Sequence, residues 1–231
     1  MSFLLLTVDT SGKNGRVALA QVTTGRSEAD IVESVPLTGG AFSAQLIPQI
    51  SALLAKHGYS KSDLSGFAVV SGPGSFTGLR VGLSAIQALA EILQKPIAAI
   101  SLLEAVACSG KAKGHVLAVL DAGRAEVYVG DYEISGHESS PRSQLNSERL
   151  LCRDSFLGEA KGKPIVTPDA ALAEVAQAAG IQTECVDYPN IALIARLGWE
   201  RLERGQSVRP EDLEANYIRR SDAEIFSKPK P

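Results

Sequence analysis

Two apolar runs in this chain finish alike. Leu5-Leu6-Thr7-Val8-Asp9-Thr10-Ser11 and Leu117-Ala118-Val119-Leu120-Asp121-Ala122-Gly123 both pass through aliphatic residues to an aspartate and then to small residues. A short, nearly continuous apolar run bounded by turn residues reads as a strand covered on both faces. A second strand pattern follows each run, at 16–22 and at 126–132. The chain therefore reads as one strand-turn-strand opening used twice, in two sheets. The echo is short, and a chance likeness is the other reading of it.

The order of the remaining elements fits duplication. In the first copy, strands at 3–8, 16–22 and 31–37 precede a helix over 41–57, which stops at Gly58 as helices often stop at glycine. A strand at 67–71, a glycine-rich loop, a helix over 78–93, a strand at 96–101 and a helix over Leu102–Ser109 follow. The pattern resumes at His115 and, after a polar stretch, adds a strand at Ile165–Thr167 and helices over 169–179 and 191–204. This succession predicts an α/β, actin-like (ribonuclease-H-like) duplicated fold of two small lobes, the second trimmed. Residues 1–110 are the expected first lobe, 111–208 the smaller C-terminal lobe and 209–231 a charged tail.

Composition narrows the function classes. With 23 Lys+Arg against 26 Asp+Glu the net charge is −3, so no global positive field gathers nucleic acid. A hydrophobic share of 45% supplies a packed core and excludes a disordered chain. Cys108, Cys152 and Cys185 are odd in number and include no CxxC, so reduced thiols serving as small core residues fit better than a disulfide framework. No basic segment precedes the first apolar run, which Asp9 ends; it reads as a strand, and the expected protein is cytoplasmic with no membrane partner.

The densest motif is Ser71-Gly72-Pro73-Gly74-Ser75-Phe76-Thr77-Gly78-Leu79-Arg80-Val81-Gly82. Gly72, Gly74, Ser75, Thr77, Gly78 and Arg80 stand between a strand and a helix, where backbone N–H groups can gather an anion. No Lys-Ser/Thr pair follows Gly78 as a P-loop needs, and Thr77 stands where the dinucleotide fingerprint has its third glycine. A structural turn capped by Ser75 or Thr77 and an anion site both fit the spacing. Asp9, Thr10 and Ser11 likewise read either as a polar hairpin or as a phosphate turn. Arg80 and Arg124 are candidate helpers for anions. His57, His115 and His137 are too scattered for a metal site and no Gly-x-Ser-x-Gly occurs, so no metal ligand and no catalytic residue is nominated.

Two helices lack the charged face that an outer helix shows to water. No charged residue occurs between Ala41 and Ala55, and Phe42, Leu46, Ile47, Ile50, Leu53 and Leu54 fall within roughly 140° of one another. The next helix gathers Leu79, Leu83, Ile86, Leu89 and Leu93 on one side, with Val81, Ala85, Ala88 and Ile92 on the other. Gly78 and Gly82, four apart, would admit another helix. Either both helices are internal or another subunit covers them. Phe42, Leu46, Ile50, Leu53, Leu79, Gly82, Leu83 and Ile86 are the residues expected to form or directly back that interface. Gly82→Glu is expected to split a heterodimer while the monomer stays folded.

The loop at 70–82 and an ordered set of other segments resemble the bacterial TsaB (YeaZ) family. The set is Leu6-Thr7-Val8-Asp9-Thr10-Ser11, Phe42-Ser43-Ala44-Gln45-Leu46-Ile47-Pro48, Pro96-Ile97-Ala98-Ala99-Ile100-Ser101-Leu102, Leu120-Asp121-Ala122-Gly123-Arg124-Ala125-Glu126-Val127-Tyr128 and Tyr217-Ile218-Arg219-Arg220. The likeness is strong over 3–134 and weak from 135 to about 208. It implies a non-catalytic scaffold or activator subunit in making threonylcarbamoyladenosine beside the tRNA anticodon. It also implies a heterodimer with a TsaD-type paralogue that carries the chemistry, contact with a TsaE-type ATPase, a homodimer when alone, and tRNA only through the complex. No cofactor of its own is implied; ATP or ADP would enter in the assembled complex. The paralogue holds its metal through H-x-x-x-H on the matching helix, and Phe42 and Leu46 occupy that spacing here, so no metal centre is implied. The rival reading is a stand-alone weak ATPase or peptidase of the actin-like superfamily.

Overall fold

The computed structural model describes residues 1–26, 28–137 and 140–218. Strands β1 (Ser2–Asp9), β2 (Gly15–Thr23) and β3 (Ala29–Leu37) form an antiparallel meander. Strand β4 (Leu64–Gly72) joins β1 in parallel and β5 (Ile97–Ser101) joins β4, giving the order β3-β2-β1-β4-β5. The second sheet repeats this plan. Its meander is β6 (Gly114–Gly123), β7 (Glu126–His137) and β8 (Ser140–Cys152), and its parallel pair is β9 (Ile165–Thr167) and β10 (Thr183–Cys185). The order β10-β9-β6-β7-β8, read backwards, matches the first sheet strand for strand. Asp9 and Asp121 stand at the turn ends of the two equivalent first strands, as the sequence echo requires of a duplicated actin-like fold.

The helices are α1 (Phe42–Lys56), α2 (Phe76–Leu93), α3 (Leu102–Ser109), α4 (Arg153–Glu159), α5 (Ala170–Ala178) and α6 (Ile191–Glu203). Alternation along β1 sends Leu4, Leu6 and Val8 toward α1 and α2, and Leu5 toward Ala195 and Trp199 of α6. Between the sheets, Leu103 and Val106 of α3 and Ile194 and Leu197 of α6 share one core with Ile100, Val116 and Ala118. On the outer face of the second sheet, Phe156 of α4 and Leu172 of α5 pack against Leu117, Val119 and Val129. Helix α2 is long and apolar enough, by length and composition alone, to cross a membrane; here Leu79, Leu83 and Ile86 pack it onto the first sheet.

Several expectations change. Helix α6 lies within 111–208, the predicted second lobe, yet it covers the first sheet. Without it the face carrying Leu5, Ala20, Val22 and Ala68 would be bare, and Gly198 permits the approach because a Cβ there would overlap Ala68. The tail predicted over 209–231 begins as part of the first lobe, since Gln87 Nε2 donates to Pro210 O at 2.8 Å and Leu213 is buried in that lobe's core; just before it, the Val208 N–H donates to Ile97 O at 2.8 Å. Residues 219–231, including Arg219 and Arg220, lie outside the described residues. Of the cysteines only Cys108 is buried, its thiol pushed up to about 12 by burial, whereas Cys152 and Cys185 are exposed at the ends of short or edge elements.

Candidate functional site

The β1–β2 and β6–β7 turns face each other across a cleft of about 1400 Å³. Its walls are Ser11, Gly12, Lys13 and Asn14 from the first turn, Asp121, Ala122, Gly123 and Arg124 from the second, and Ser75, Phe76 and Thr77 at the start of α2. Leu102, Leu120, Tyr128, Tyr188 and Tyr217 line it as well.

Of the three residues expected in a phosphate turn, only Ser11 lines this cleft; Asp9 and Thr10 are buried behind it. Asp9 is 5% exposed, and its Oδ1 accepts from the Ser11 N–H at 2.9 Å and from Ser11 Oγ at 2.5 Å. Burial raises its pKa above the usual aspartate value, against the opposing pull of the Ser11 bonds. Tyr188, which the sequence reading did not single out, closes the turn from the far side with its hydroxyl 3.0 Å from Ser11 Oγ. Burial and the nearby Asp9 carboxylate push the Tyr188 phenol upward. No local motif marks Tyr188, because the fold brings it in from 177 residues away.

Packing accounts for the glycines of the loop, while Gly74, Ser75, Thr77 and Gly78 also line the cleft. The Ser75 N–H donates to Ser11 O at 2.7 Å, and Ser75 Oγ accepts the Gly78 N–H at 3.2 Å, so Ser75, and not Thr77, caps a helix that begins at Phe76. A Cβ at Gly74 would overlap Ser11 O, one at Gly78 would overlap Thr10 O, and one at Gly82 would overlap Thr10 Oγ1. The glycines four apart thus admit the β1–β2 turn and not another helix. Gly82→Glu would therefore crowd Thr10 inside the chain before it reached any partner, so the expectation that it leaves the monomer intact does not fit this packing. Arg80 stacks 3.7 Å from the Phe76 ring centroid, and its Nε donates to Tyr217 OH at 3.1 Å. Arg124 sits in the cleft wall in left-handed backbone, φ 56°.

The residues expected at a partner interface, Phe42, Leu46, Ile50, Leu53, Leu79, Gly82, Leu83 and Ile86, are all buried against the first sheet. They back the outer surface and do not form it. Exposed on α1 are Ser43, Ala44, Ile47, Pro48, Ser51, Ala52, Ala55 and, at its end, Lys56. On the adjoining α2, Ser84 and Ala88 are exposed between Arg80 and Glu91, and Ile92 lies beyond them. Ile47, counted with the core sector, is instead 46% exposed, and Ile92 is 74% exposed. The Phe42 ring lies 2.9 Å from where a Gly15 Cβ would stand, so the first position of the H-x-x-x-H spacing is filled by packed hydrocarbon.

Comparison with known proteins bears on this geometry. The family profile described as TsaD, tRNA N6-adenosine threonylcarbamoyltransferase, matches residues 36–151. The TsaB protein of Bacillus subtilis, named for tRNA threonylcarbamoyladenosine biosynthesis, is 34% identical over 130 residues, 56% of this chain and 55% of that one. TsaB of Escherichia coli is 35% identical over 92 residues, 38% of this chain and 40% of that one. The chain thus spans about half the length of the curated relatives it matches. The solved structure of YeaZ from Pseudomonas aeruginosa superposes with a TM-score of 0.71 at 26% identity, covering 93% of this chain and 99% of that one. The chain belongs to the TsaB/YeaZ family. In this member, the family's duplicated fold buries the first-turn aspartate and leaves the outer surface of α1 without charge up to Lys56.

Proposed function

We propose that this chain is a non-catalytic scaffold and activator subunit in tRNA threonylcarbamoyladenosine biosynthesis, working in the cytoplasm by pairing with a TsaD-type paralogue. The observation that carries the reading is the adjoining exposed surface of α1 and α2, where Ala44, Ile47, Ser51, Ala55, Ala88 and Ile92 present small and apolar side chains to solvent. Exposed apolar surface of this kind marks an interaction site, and its rigid backing by Leu46, Ile50, Leu79 and Ile86 limits the entropy lost on docking. The same surface serves a homodimer when the paralogue is absent. A TsaE-type ATPase joins the assembled complex, ATP or ADP enters there, and tRNA is reached only through the complex.

The burial of Asp9 supports this over a stand-alone ATPase. A phosphate turn of that kind presents its carboxylate to a metal or water in the cleft, whereas the Asp9 carboxylate is buried and covered by Ser11. Light scattering of the chain mixed with its TsaD-type paralogue tests the reading. A heterodimer mass, with modification of tRNA dependent on both proteins, is the expected result; full modification by the paralogue alone would sink it.

A further inference from the structure

Residues 208–218 run from the free edge of β5 to the rim of the cleft. Beyond the contacts of Val208 and Pro210, the Asn216 N–H donates to Ser71 O at 2.7 Å, and the Tyr217 ring lies 5.4 Å from that of Phe76. Asn216 also borders a second, polar cavity of about 640 Å³, together with Ser101, Tyr132 and Glu148. It therefore stands in the wall between this cavity and the cleft.

Glu148, on β8, is where three parts of the chain meet. Its Oε1 accepts from Ser101 Oγ and Tyr132 OH, and its Oε2 accepts from Asn216 Nδ2. Ser101 ends the first sheet's β5 and caps α3, Tyr132 belongs to the second sheet, and Asn216 to the C-terminal segment. A carboxylate, with no donor and several lone pairs, suits three donors at once.

We propose that Glu148 is a latch that holds residues 208–218 as a strap across the junction of the two lobes. Releasing Asn216 from it joins the cleft to the polar cavity and lifts Tyr217 off Phe76, baring the first turn of α2. The sheets remain tied to each other through Ser101 and Glu148, with Tyr132 holding Glu148 in place, so the strap is the part that moves.

An isosteric pair of variants tests this in the full chain by amide hydrogen exchange. Asn216→Asp sets a carboxylate against Glu148, and the backbone amides at positions 208 and 216 should exchange roughly tenfold faster or more while β1 and β6 stay protected. Adding Glu148→Gln should restore protection. The introduced amide can still accept from Ser101 and Tyr132 through its oxygen, while its NH₂ group donates to the new carboxylate at position 216. Wild-type exchange in Asn216→Asp, or a double variant as unprotected as the single one, overturns the latch. If Asn216→Asp fails to fold, the double variant decides alone: recovery of sheet and strap protection supports the latch, and failure to recover overturns it.

Discussion

Ile47→Glu puts the docking proposal at risk most directly. Ile47 is 46% exposed in the isolated chain, so a partner covering α1 removes roughly half of an isoleucine side chain from water. Complete burial of such a side chain is worth about 1.5–3 kcal/mol, which makes the lost hydrophobic contribution about 0.7–1.4 kcal/mol. A glutamate covered by the partner without a counter-charge costs a further amount on the order of 3–5 kcal/mol. The total, about 4–6 kcal/mol, corresponds to a thousandfold or greater loss of affinity. The monomer should hardly notice, because the new side chain points outward and surface changes of this kind stay within about 0.5 kcal/mol. Sedimentation velocity against the TsaD-type paralogue, with thermal unfolding of the free chain as control, separates the two effects. A heterodimer of unchanged affinity, found again for Ala88→Glu, would refute the argument that this surface is an interface. Gly82→Glu cannot make the distinction, since its Cβ meets Thr10 inside the chain.

Gly82→Ala gains about 1 kcal/mol in helix propensity but forces a methyl onto Thr10 Oγ1 in a packed site; overpacking of about 1–3 kcal/mol should lower the melting temperature by a few degrees, and a rise would count against the packing described. Burial raises the Asp9 pKa, so across the window from its ordinary value near 3.8 to the raised folded value the native chain keeps a proton the unfolded chain has released. Stability contributed by this group therefore falls as pH rises through that window and is constant above it; urea titrations should show the slope disappear in Asp9→Asn. In the native chain a thiol reagent should modify Cys152 and Cys185 promptly and Cys108 only on unfolding, because burial holds Cys108 as the neutral thiol.

What the sequence disclosed follows from where the physical signal is concentrated. The central strands β1, β4 and β9 are covered on both faces, so their apolar runs announce them. Helix periodicity likewise places Phe42, Leu46, Ile50, Leu53 and Leu54 correctly on the buried side of α1. Strand β8 escapes notice because, as an edge strand, Ser-Pro-Arg-Ser-Gln-Leu-Asn-Ser-Glu-Arg-Leu-Leu-Cys carries little apolar alternation and is held by pairing with β7. Helix α4 has seven residues and β10 three, too few for a period to show. The cleft residues were legible only in part. Ser11, Ser75 and Arg124 belong to recognisable turns, whereas Tyr188, Tyr217 and Glu148 act through contacts the fold makes between distant segments.

Duplication also supplies an internal control for the uncharged surface. By position after equivalent strands, α4 corresponds to α1, α5 to α2 and α6 to α3. The third helix of each copy lies between the sheets, α3 mainly on the second and α6 on the first, so each copy completes the other's core. The outer pairs differ. The contrast lies in the first helix of each pair: α4 shows Asp154 and Glu159 to solvent, while α1 shows Ala44, Ile47 and Ser51 and no charge before Lys56; α5 and α2 both show charge, Glu174 on one and Arg80 and Glu91 on the other. Both pairs cover one face of an equivalent sheet, and the second does so with ordinary charged residues outside. The architecture therefore tolerates charge on an outer helix, so folding alone does not require its absence from α1 up to Lys56. The proposed contact with another protein would account for it, because an interface core excludes uncompensated charge for the same desolvation reason that the chain's own interior does.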